Sequence, residues 1–119
     1  MGTLKNIRRK KMIAQRGRCY YCGLAMWEPN AAAGPGKHRK AGPAPNFLRC
    51  TAEHLHPRSE GGRNTVDNIV AACWFCNSRR HQRKRPLSPD AYRLHVQRRM
   101  AAGRWLAAVL ATRSLSPRA

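Results

Sequence analysis

Two Cys-x-x-Cys pairs, Cys19/Cys22 and Cys73/Cys76, constrain this chain more than any other feature. A Cys-x-x-Cys turn presents two thiolates on one side, and two such turns complete the tetrahedral shell that zinc prefers. Fifty residues separate Cys22 from Cys73, so one shared ion would tether an N-terminal knuckle to a distant segment. The chain has 119 residues, the size of one domain. Domains this small often rely on such a staple. The cysteines number five, and an odd count with paired spacing argues for a metal in a reducing compartment, against a secreted disulfide framework. A rubredoxin-like iron site is the rival, but the proline- and acid-rich setting expected of one is missing. The fifth cysteine, Cys50, reads as a small buried hydrophobe in a strand.

Lys and Arg total 24 against 5 Asp and Glu, for a formal net charge of +19. Self-repulsion at that level opposes compaction and calls for a polyanionic partner. Arginine outnumbers lysine, and its planar fork suits phosphates and bases better than a lipid surface. No run approaches the roughly 20 apolar residues of a membrane span, and the basic N-terminus is followed by neither an apolar targeting segment nor a cleavage site. The chain reads as soluble and cytoplasmic, with no membrane partner. Charge alone does not separate an enzyme from a basic protein that only binds nucleic acid.

Residues 1–17 read as a basic helix or a solvated arm, with Leu4, Ile7 and Ile13 as its apolar anchors and Gly17 as its end. A core domain follows over residues 18–86, interrupted at 29–46 by a Pro/Gly-rich insertion read as irregular. Phe47 to Glu53 is a candidate strand. Pro57 and Gly61-Gly62 enforce a turn, and Asn68 to Ala72 is a second short strand. A basic helix is expected over about residues 75–84, ended by Pro86. A C-terminal extension spans 87–111: Ser88-Pro89-Asp90 opens a helix as N-cap, first-turn proline and first-turn acid. Tyr92, Val96 and Met100 form its packing stripe, and Gly103 interrupts it. Residues 112–119 read as a tail. The fold class is α+β, a small ββα core stapled by four cysteines and flanked by N- and C-terminal helices.

Between the cysteine pairs lies a second kind of chemistry: Glu53-His54-Leu55-His56-Pro57, Gly61-Gly62, Asn68 and, directly after Cys76, Asn77. A structural zinc knuckle needs none of these. Phosphodiester hydrolysis needs a base for water, a cation for the charge on the phosphate and leaving oxygen, and groups that align both. A carboxylate and an amide oxygen satisfy magnesium, which keeps several waters, and Glu53 with Asn77 would supply them. His54 suits the base, and Asn68 could orient the histidine-bearing strand through bonds to backbone.

The arrangement Cys-x2-Cys, Glu-His-x-x-Pro-x-Ser-x-Gly-Gly, Asn-Ile, Cys-x2-Cys-Asn resembles the HNH nuclease family with its ββα-metal fold, in a His-Asn-Asn version. The resemblance runs from Cys19 to about Arg80 and does not cover the insertion. It implies that His54 is the general base and Asn68 a structural residue. It also implies that Glu53 and Asn77 hold a catalytic Mg2+ or Mn2+ beside the structural Zn2+ of the cysteines. The family more often carries Asp where Glu53 stands and often His where Asn77 stands, which here favours an oxygen-loving metal.

Period-two alternation places His54 and His56 on one strand face and Glu53 on the other, so His56 is a rival base unless the strand ends or twists there. His81 lies four residues after Asn77 on the same helix face and is a further candidate for phosphate or metal. Arg58, Arg79, Arg80, Arg83, Lys84 and Arg85 are the expected phosphate contacts. The expected function is a metal-dependent HNH endonuclease acting on DNA, nicking as a monomer and cutting both strands if dimeric. The alternative is a zinc-stabilised, non-catalytic DNA- or RNA-binding protein, and an RNA target stays open.

Overall fold

The computed structural model describes residues 3–29 and 46–106. Most of the expected insertion at 29–46 and all of the tail at 112–119 lie outside these. Helix α1 spans Leu4–Ala14, capped by Thr3, whose hydroxyl accepts from the Asn6 amide at 3.1 Å. It ends where Arg16 and Gly17 turn to φ of 57° and 75°. Ile7 is buried as expected. Ile13, also expected to anchor the helix, is 78 % exposed. The anchoring falls instead to Gln15, which pairs with both backbone groups of Ala71 at 2.8 and 2.9 Å, as a neighbouring strand would.

Strand β1, Cys50–His54, and strand β2, Ile69–Cys73, form an antiparallel pair with Cys50 opposite Cys73 and His54 opposite Ile69. The expected strand start at Phe47 is corrected, because Asn46–Leu48 form a 3-10 turn. β2 is buried along its whole length. Helix α2, Trp74–Arg80, follows at once, with Cys73 as its N-cap. It is shorter than the expected 75–84. His81 caps it, and the run Arg83-Lys84-Arg85 before Pro86 gains nothing from helix, since like charges repel and the pre-proline residue is steered away from it. Helix α3, Pro89–Ala101, starts as the sequence expects, with the Ser88 hydroxyl accepting from the Ala91 amide at 3.2 Å. Gly103, at φ 71°, turns the chain so that Trp105 and Leu106 return to the core.

The core is centred on sulfur. Cys19, Cys22, Cys73 and Cys76 are packed with Tyr21, Met26, Ala71, Ala72, Tyr92, Val96, Trp105 and Leu106. Cys50 is fully buried as expected, and that burial pushes its thiol up to about 11. No helix among the described residues is long and apolar enough to cross a membrane.

The loop joining the strands depends on its second glycine. A Cβ at Gly62 would lie 1.8 Å from the His56 carbonyl oxygen, because the Gly62 amide closes on Pro57 O at 2.9 Å. Gly62→Ala should therefore open this loop and cost about 1–3 kcal/mol, as forced overpacking does. A lowered urea midpoint at unchanged slope would register it.

Candidate active site and metal centre

The four sulfurs of Cys19, Cys22, Cys73 and Cys76 all lie within 4.8 Å of one another. A zinc tetrahedron with bonds of about 2.3 Å sets them about 3.8 Å apart, and Cys22 and Cys73 are at 4.0 Å. Backbone amides of Tyr21 and Cys73 point at Cys19 Sγ, the amide of Cys76 at Cys73 Sγ, and the Trp105 indole N–H at Cys76 Sγ, all at 3.3–3.4 Å. Donors aimed at sulfur suit thiolate ligands. Hydrogen bonds from its three partners draw the Cys19 thiol well below its ordinary range, while those to Cys19 and Cys22 hold Cys73 and Cys76 above theirs. Four buried sulfurs so coupled could hold a zinc ion, which would let all four ionise.

Glu53 projects inward from β1 and is 1 % exposed. Its Oε2 accepts from the Tyr21 hydroxyl and from Arg80 Nη1, both at 2.8 Å. Burial, then the neighbouring carboxylate, pushes the Tyr21 phenol far above its usual range, so it stays a donor. Oε1 faces His81 Nε2 at 2.9 Å, and the His81 side chain is a third exposed. One oxygen is thus anchored in the interior while the other is directed toward the surface.

His54 has a partner of its own. Its Nε2 lies 2.7 Å from Asn64 Oδ1, an acceptor, so Nε2 carries the proton and Nδ1 the lone pair. Asn68 grips the backbone on either side of the same loop: Oδ1 accepts from the His56 amide at 2.8 Å, and Nδ2 donates to His56 O and Arg63 O at 3.1 and 2.9 Å. The His56 ring is turned onto Glu60 O at 2.8 Å. Asn77 Nδ2 donates to Thr51 Oγ1 and Ala52 O at 3.0 and 3.2 Å, which fixes α2 against β1 and leaves the amide oxygen out of that contact.

Among the expected phosphate contacts, Arg80 is corrected. It is 2 % exposed, and beyond Glu53 its guanidinium donates to His54 O, Leu55 O and Leu87 O. Four of its five N–H donors are spent inside the protein, so it is an internal strut rather than a surface contact for DNA. Arg58, Arg79, Arg83, Lys84 and Arg85 are exposed. Sequence reasoning missed Tyr21, Asn64 and Trp105. Asn64 alone had a signal, its place in the polar turn after Gly61-Gly62.

A two-strand hairpin leading directly into a short helix, with a four-thiol knuckle at its base, defines the small α+β class of ββα-metal proteins. A family model described as HNH endonuclease matches residues 38–83, in agreement with the resemblance that the motif carries. No curated protein and no solved structure matches the chain.

Proposed function

We propose that the chain is a metal-dependent endonuclease that hydrolyses DNA phosphodiester bonds. The observation that carries this reading is the meeting of Glu53 Oε1 and His81 Nε2 at 2.9 Å, one residue along β1 from a histidine whose Nε2 is held by Asn64. A catalytic unit at residues 18–86 and a C-terminal extension at 87–111 that completes the zinc knuckle follow from the same reading.

His54 acts as the base: its Nδ1 takes a proton from water as the water oxygen attacks phosphorus, and the 3′ oxygen leaves, giving 5′-phosphate and 3′-hydroxyl ends. Asn64 holds the tautomer, and Asn68 holds the loop in which the exposed His56 ring is tied to Glu60 O. Glu53 Oε1, Asn77 Oδ1 and His81 Nε2 would hold the cation, which when bound neutralises charge on the phosphate and leaving oxygen. Two oxygens suit Mg2+ or Mn2+, and the imidazole tilts the set toward Mn2+. Arg58, Arg79, Arg83, Lys84 and Arg85 supply the salt-sensitive grip on phosphates. One such site nicks, and a double-strand cut needs a dimer.

Incubation with supercoiled plasmid should give relaxed circles with added Mg2+ or Mn2+ and none without. His54→Ala should slow nicking by about 10²–10⁴-fold, the usual worth of a positioned base. Equal activity in the two proteins would overturn the reading. One observation favours a zinc-stabilised binding module instead, since Arg80 already balances the charge of Glu53. Binding without cleavage in every metal would establish that alternative, and competition between single-stranded RNA and duplex DNA would identify the target.

A further inference from the structure

A cavity of about 290 Å³ opens between α2 and α3, and Arg80, the ion-pair partner of Glu53, is on its lining. Arg79, Arg83, His95 and Arg99 line it, with Tyr92 and Trp105 among its walls and no acidic residue on its lining. The arginines are held rather than loose. The Arg79 guanidinium sits 4.5 Å over the Phe75 ring and that of Arg99 lies 5.9 Å from the Trp105 ring. His95 is fitted between Tyr92 and Trp105 at ring distances of 6.2 and 5.8 Å.

Two of the chain's five acids are bound to cations elsewhere, Glu28 to Arg8 and Arg9 and Glu53 to Arg80. Among the described residues Arg79, Arg83 and Arg99 take part in no ion pair. Three unneutralised guanidinium groups around one concavity, two of them fixed on aromatic faces, form an anion site before any anion arrives.

We propose that this cavity is a nucleic-acid subsite neighbouring the candidate cleavage site, and that it takes one backbone phosphodiester group of the bound strand. The volume is at the low end of ligand pockets, about 300–1,000 Å³, enough for one nucleotide unit. Tyr92 and Trp105 are 4 % and 7 % exposed, too little to offer a stacking face, so the phosphate rather than the base is the gripped group. The floor of the subsite is tied to the zinc knuckle. Tyr92 donates to Cys76 O at 2.7 Å and Trp105 to Cys76 Sγ, and Asn77 is the next residue. The gripped phosphate therefore lies at a fixed spacing from Asn77. The inference rests on nucleic acid being the partner, not on cleavage.

The test uses full-length His54→Ala protein without added Mg2+ or Mn2+, so its outcome is independent of catalysis. Fluorescence anisotropy with a labelled DNA duplex gives affinity against salt. Arg83→Ala/Arg99→Ala should weaken binding about tenfold at low salt and reduce the log–log salt slope by about 1, as loss of one phosphate contact does. The comparison pair Arg98→Ala/Arg104→Ala removes the same charge from exposed positions off the cavity and should do markedly less. Equal weakening by both pairs would overturn the proposal. Arg83→Lys/Arg99→Lys retains the charge in case the alanine pair unfolds. It should lose several-fold in affinity through loss of bidentate contacts, and wild-type binding by this variant would count against the subsite. Duplexes with 5′-hydroxyl and 5′-phosphate ends should bind alike, and a requirement for the terminal phosphate would refute a backbone site.

Discussion

Chelating zinc from Cys19, Cys22, Cys73 and Cys76 is expected to unfold the chain, not merely to loosen one end of it. The four sulfurs are the centre of the core, and around them lie Ala71, Ala72, Tyr21, Tyr92 and Trp105 together with Met26, Val96 and Leu106. Structural zinc is worth about 10–16 kcal/mol in small domains, against a net stability of about 5–15 kcal/mol for a whole domain. Without it the knuckle at Cys19–Cys22 is held to β2 mainly by Gln15 and by the Tyr20 amide on Ala71 O at 3.0 Å. Circular dichroism during chelation, with a count of zinc per chain, measures this. Cys76→Ala should also lose the indole hydrogen bond of Trp105 and fail to recover on adding zinc. A zinc-free protein with the native spectrum would contradict the expectation.

Glu53→Ala should be the most damaging single change outside the cysteines. It leaves the Arg80 guanidinium buried without its carboxylate and deprives the Tyr21 hydroxyl of its acceptor. Breaking one side of a buried ion pair costs about 3–5 kcal/mol, a large share of the total. Glu53→Gln keeps the shape and an acceptor for Tyr21, so it should fall between alanine and wild type. In the double variant Glu53→Ala/Arg80→Met the orphan charge is gone and part of the stability should return, because an apolar replacement of a whole buried pair is often tolerated. Plasmid nicking should stay absent in all three. Urea midpoints across the series separate the two effects, and an unchanged midpoint for Glu53→Ala would sink the account of a load carried by this pair.

What the sequence disclosed was local or spaced by a rule. Cys-x-x-Cys pairing, the Ser88-Pro89-Asp90 helix start, the Gly61-Gly62 turn and the burial of Cys50 rest on short-range geometry, and the structure has them all. The contacts that build the site join distant residues: Tyr21 to Glu53, Gln15 to Ala71 and Trp105 to Cys76. No periodicity encodes such pairs. Arg80 is the instructive error. In a run of basic residues it looks like Arg79 or Arg83, yet it lies four positions after Cys76 and so shares the inward face of the helix. That spacing was readable. The acid waiting on β1 to receive it was not. His81 follows the same arithmetic from Asn77, which is why it lies beside Glu53 at the surface. Length was the other failure, since α2 ends at Arg80, short of the basic residues Arg83 and Lys84 that the expected helix includes.

Helix α2 has only seven residues, Trp74–Arg80, and carries two jobs on stripes one position apart. Cys76 and Arg80 face the interior, and Asn77 and the capping His81 face β1 at Thr51, Ala52 and Glu53. Each residue of a helix turns by about 100°. A single residue deleted between Cys76 and Arg80 would bring His81 to the inward position and carry the Arg80 guanidinium off it, and a single inserted residue would turn His81 away from Glu53. Substitution can tune this segment, but its length is not free to drift. For anyone recombining or trimming such chains, these few residues form a cassette that must travel whole.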